Sequence, residues 1–132
     1  MAWLKRKPTP PAGRFPADML RRLEHFGRYE ADPNGSGIDY NDIVQLVFVP
    51  FVHDAQADPH GFCVDLQAVV ADDADGLATF GAARLVWELL VGDQRKIPPA
   101  LTLVRAGIAY KRAHRLPLTF FEMGVDIPTP PS

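Results

Sequence analysis

Apolar residues recur at helical spacing early in the chain, where Met19, Leu20, Leu23, Phe26 and Gly27 share one face. Pro16 is placed as a first-turn proline and Asp18 adds a negative charge near the positive helix end, so an amphipathic helix is expected over about 16–30. Phe15, just ahead, suits a staple onto Met19 or Leu20. The run Asp32 to Asp39 (DPNGSGID) then gathers Asn and Gly, which tolerate positive φ, and Pro, which fixes it negative. The helix should stop there.

Past this turn the pattern changes. Ile43 to Val52 (IVQLVFVPFV) is apolar almost without interruption, rich in β-branched and aromatic residues, and broken by Pro50. It predicts a strand buried on both faces, with Pro50 at an edge, a bulge or an end. His53 to Gly61 reads as a polar loop, and Phe62 to Val70 (FCVDLQAVV) alternates well enough for a second, antiparallel strand that completes a hairpin. In Gly76 to Val91 only Thr79, Gly81, Arg84 and Glu88 interrupt the apolar surface of a helical wheel, which predicts a helix that is nearly engulfed.

GDQRKIPP breaks the chain, and Pro98 and Pro99 open a further helix to about Arg115. Its last turns carry Lys111, Arg112, His114 and Arg115, favourably placed against the negative helix end. Leu116 to Met123 (LPLTFFEM) reads as a third short strand or extended segment stopped by Gly124. The order helix, strand, strand, helix, helix, strand predicts an α+β fold, a small antiparallel sheet of two or three strands packed against about three helices.

The 132 residues suffice for one core, and no internal repeat or second boundary is visible. Residues 15–125 are expected to form that domain. Residues 1–14 combine Lys5, Arg6 and Lys7 with Pro8, Pro10 and Pro11, and 126–132 carry three prolines, so both read as flexible ends. A net charge of −2 and a pI near 6.0 disfavour nucleic acid as a partner. Asp and Arg outnumber Glu and Lys in an Ala- and Pro-rich chain, which suggests a GC-rich bacterial genome. A lone Cys63 and no signal-peptide pattern favour a cytoplasmic location. No stretch reaches the roughly 18 apolar residues of a membrane span.

Candidate chemistry is sparse. Asp32-Pro33-Asn34-Gly35-Ser36-Gly37 opens like a calcium loop of the EF-hand type, but the twelfth position is Ile43 rather than a bidentate Glu, so a plain turn is favoured. His53, Asp54, Asp58, His60 and Cys63 gather possible ligands at a spacing that matches no standard zinc pattern. Cys63 also suits the core as a small hydrophobe. Asp72, Asp73 and Asp75 fit a solvated run ending in a helix cap better than a paired-carboxylate site. No nucleophile motif is present, and neither cofactor nor metal is expected.

Arg105, Lys111, Arg112 and Arg115 make the largest basic surface. A full core, no catalytic motif and an exposed charged helix predict a non-catalytic protein-binding module, accessory or immunity-like, using that surface. Association with a second copy is left open. The rival is a small enzyme or ligand-binding domain with a pocket between sheet and helices, for which Arg84, Glu88, His53 and His60 are the polar groups to suspect. Arg84 and Glu88, four apart, also suit a weak ion pair.

Overall fold

A computed structural model describes residues 17–90 and 96–126, which form helices joined by turns, with no strand among the described residues. The Phe15 staple, the arm at 1–14, the break at 91–95 and all of the expected tail at 126–132 except Asp126, which ends a helix, lie outside the described residues. The helices are α1 (Ala17–Ala31), α2 (Tyr40–Ile43), a π-helical turn (Val44–Phe48), α3 (Val49–Ala57), α4 (Pro59–Val69), α5 (Leu77–Leu89), α6 (Pro98–Ala113) and α7 (Phe120–Asp126).

The expected α+β fold with its antiparallel sheet is therefore wrong, because all three segments read as strands are helical or lead into a helix. The burial pattern shows why. Ile43, Val47 and Ala55 are fully buried with Phe51 partly so, while Gln45, Val49 and His53 halfway between them are exposed, whereas a strand would turn all of these to one face. Phe62, Cys63 and Leu66 of α4, with Val70 just past its end, are buried at the same helical spacing. The supposed hairpin loop contains a helix start: Asp58 caps α4 by accepting from the Gly61 amide at 3.1 Å, with Pro59 in the first turn. The third supposed strand hides a capping box. Thr119 Oγ1 accepts from the Glu122 amide at 3.1 Å, and Glu122 Oε1 accepts from the Thr119 amide at 2.9 Å.

The three helices expected over about 16–30, 76–91 and 98–115 are present as α1, α5 and α6. α5 is the hub, and its residues Ala78, Phe80, Gly81, Ala82, Ala83, Leu85 and Val86 are buried. It packs most extensively on α1 and then on α6. The α1–α5 crossing brings backbone against backbone. A Cβ on Gly27 would lie 2.1 Å from Leu77 O, and one on Gly81 would lie 2.1 Å from Leu23 O. Only glycine permits that approach. Met19, Leu23 and Phe26 of α1 close the core from one side, while Ala100, Leu103, Val104 and Ile108 of α6 close it from the other.

α2, the π-turn and α3 run on as one rod, roughly 27 Å long at 1.5 Å per residue, since the residues at both junctions keep right-handed helical dihedrals. In the π-turn the Val49 amide donates to Val44 O, five residues back. Pro50 follows. It has no N–H for the Leu46 carbonyl, and its ring would strike that carbonyl in a regular α-helix. Arg22 Nη1 of α1 donates to Leu46 O instead, at 3.1 Å. The rod is pinned further by an edge-on contact between Phe26 and Phe48, ring centroids 5.2 Å apart, and by Tyr29 against Tyr40.

Candidate functional site

Charged side chains cluster where α1, α5, α6 and α7 meet. Arg84 Nε lies 2.8 Å from Glu30 Oε1, and its Nη2 lies 2.5 Å from Glu88 Oε1. The Arg84–Glu88 pair was legible in the sequence, whereas Glu30 was not. Lys111 Nζ lies 2.6 Å from Glu122 Oε1, with both side chains largely buried. Burial pushes the Glu122 carboxyl up, but the Lys111 hydrogen bond, the Thr119 amide, the Lys111 charge and the Thr119 hydroxyl outweigh it and hold it below the usual carboxylate range. Glu30 goes the other way. Burial raises it, Arg84 and Lys111 lower it, Glu88 and Glu122 raise it, and the balance stays above the usual range.

Arg84, Trp87, Lys111 and Glu122 line a recess with room for about 10 Å³, the space of roughly one water. That is too small for a substrate. The sequence grouped Arg84 and Glu88 with His53 and His60 around a pocket, but His53 stands exposed on α3, His60 stands exposed in the first turn of α4, and neither lines this recess. The four expected pocket residues are not brought together.

The other sequence candidates have structural employment. Asp32 Oδ1 accepts from the Gly35 amide at 2.9 Å, which makes the Asp32–Gly37 run a side-chain-stapled turn. Asp73 Oδ2 and Asp75 Oδ1 accept from the Thr79 and Leu77 amides at 2.7 and 3.1 Å, so two carboxylates share the capping of α5. Cys63 is buried in the core, where desolvation pushes its thiol up to about 12. Among the described residues no three His, Cys, Asp or Glu side chains converge where they could hold a metal ion.

The basic helix face is narrower than the sequence implied. Arg105, Arg112 and Arg115 occupy exposed positions, but Lys111 turns inward to Glu122. Arg115 has a left-handed backbone, φ 57°. It sits at the usual glycine position of a helix-ending motif closed by the Leu116 amide on Lys111 O (2.8 Å) and the Arg115 amide on Arg112 O (3.3 Å).

One surface was missed. The outer side of the rod exposes Leu46 (36%), Val49 (55%), Pro50 and Val52 (37%), with Gln45 and His53 beside them, and Ile43 to His53 contains no acidic, Lys or Arg residue. Along its flank α1 places Arg21, His25 and Arg28 at one-turn spacing, with Glu24 among them. Arg21, Arg22, His25 and Leu46 border an open recess of about 220 Å³ between α1 and the rod. The available signal was the apolar run itself: it predicted burial on both sides, and the fold covers one.

Compared with known proteins, the chain matches no family model, no curated protein and no solved structure.

Proposed function

We propose that this protein is a non-catalytic binding module that docks a partner protein on the outer face of the α2/π/α3 rod. One observation carries the reading. A helix that is apolar all round belongs in an interior, and this one buries Ile43, Val47 and Ala55 while leaving Leu46, Val49 and Val52 in water. A partner laid on that face completes the burial. The charged groups that would serve an enzyme support the same reading, since Arg84 is spent on Glu30 and Glu88 and Lys111 on Glu122, and the recess that Arg84, Lys111 and Glu122 line has space for one water.

The basic positions Arg105, Arg112 and Arg115 serve in this reading as a second, electrostatic contact. Their support is Arg115, which holds a backbone conformation that glycine adopts freely and arginine does not.

Val49→Asp discriminates. Val49 is exposed, so the variant should melt within about 0.5 kcal/mol of the parent. Partners recovered with the tagged parent from its native lysate should be lost with V49D and kept with H60A. Equal recovery by all three proteins would remove the rod face from consideration.

A further inference from the structure

We infer that the partner presents an acidic amphipathic helix, laid along the groove between α1 and the rod so that its apolar stripe covers Leu46, Val49 and Val52 and its carboxylates meet Arg21 and Arg28. This rests on the docking face proposed above and adds the chemistry of its occupant. The groove has two unlike walls. On the rod, Leu46 borders the recess, with Val49 and Val52 exposed further along it; α1 supplies Arg21, Arg22 and His25, with Arg28 one turn on, and of its three acids Glu24 lies among them, Asp18 precedes them by a turn and Glu30 is paired with Arg84. A helix that is apolar on one side and acidic along one edge satisfies both walls together, with the edge steering approach and fixing register.

Charge also ranks the other occupants. The chain's own residues 1–14 carry Lys5, Arg6, Lys7 and Arg14 and no acid, so they would bring cations to a cationic flank. A second copy related by a two-fold axis brings the same cationic excess with it. Neither supplies the carboxylates that Arg21 and Arg28 call for.

The test uses the full chain and three fluorescein-labelled 18-residue helical peptides of one apolar pattern, Leu/Glu, Leu/Lys and Leu/Gln, titrated by fluorescence anisotropy at low and high salt. The Leu/Glu peptide should bind at least tenfold more tightly than either of the others. R21E/R28E should abolish that preference, V49D should weaken all binding, and H60A should change neither. Equal binding of the three peptides, still weakened by V49D, would overturn the acidic occupant and leave the docking face standing. Binding indifferent to V49D, or none at all, would overturn both. A parent that sediments as a dimer and a V49D variant that sediments as a monomer would assign the face to a second copy.

Discussion

Gly81→Ala tests the packing on which the fold depends. The added methyl carbon would sit 2.1 Å from Leu23 O, 3.0 Å from Leu23 C and 3.1 Å from Gly27 N, all backbone atoms of α1 with no side chain that can swing away. Relief requires the oxygen contact to open to about 3.4 Å, which means that α1 and α5 must part. Overpacking costs about 1–3 kcal/mol, and a rigid backbone contact at the most extensive helix pair belongs at the upper end. Replacing a mid-helix glycine by alanine returns about 1 kcal/mol of helix propensity. The net expectation is a loss of about 2 kcal/mol, or a midpoint lower by roughly 8 °C for a chain of this size. Thermal and urea unfolding followed by circular dichroism measure it. G27A, which would strike Leu77 O at 2.1 Å, should add less than its separate cost to G81A, because the first methyl already parts the helices. A midpoint unchanged or raised by G81A would refute the close crossing.

Acid should detach α7 before it unfolds the core. Glu122 sits below the usual carboxylate range in the fold, so its stabilisation is full above the unfolded value and is lost as pH falls through the lowered one; Glu30, raised, takes up its proton more readily in the fold than in the unfolded chain, so its protonation favours the fold at α1–α5. Hydrogen exchange should show the Met123 amide losing protection first on acidification, and E122Q should weaken that protection at neutral pH by about 2–3 kcal/mol because Lys111 is left without its charge partner. Arg115→Gly should stabilise the protein by about 1 kcal/mol in urea, by relieving the left-handed backbone at 57°. Cys63 should react with a disulfide reagent only as fast as the protein unfolds, since its thiol is buried and raised to about 12. Rapid labelling under native conditions would contradict that placement.

α1, α5 and α6 were legible because their apolar residues recur at helical spacing, with prolines opening α6. Residues 43–70 and 116–123 were not. Ile43, Val44, Val47, Val49 and Val52 are β-branched, and in isolation they favour a strand, but packing against α1 and α5 sets the outcome. Two local signals point the other way. Asp58-Pro59 is a helix start, and Thr119-Phe120-Phe121-Glu122 spells a capping box ahead of α7. Of the site residues, the Arg84–Glu88 pair follows from spacing alone, whereas Glu30 and Glu122 reach the cluster only through the tertiary approach of α1 and α7. The inward turn of Lys111 was hidden for the same reason. The exposed apolar face of the rod was present in the pattern as apolar character on both sides, which sequence alone reads as burial on both sides.

The most direct test is a map of backbone amide shifts in the nitrogen-15-labelled protein on titration with the unlabelled Leu/Glu peptide. The account predicts saturable shifts concentrated at Gln45 to His53 and Arg21 to Arg28, with the recess lined by Arg84, Trp87, Lys111 and Glu122 unmoved. Shifts centred on α6 or α7, with the rod and α1 silent, would contradict it.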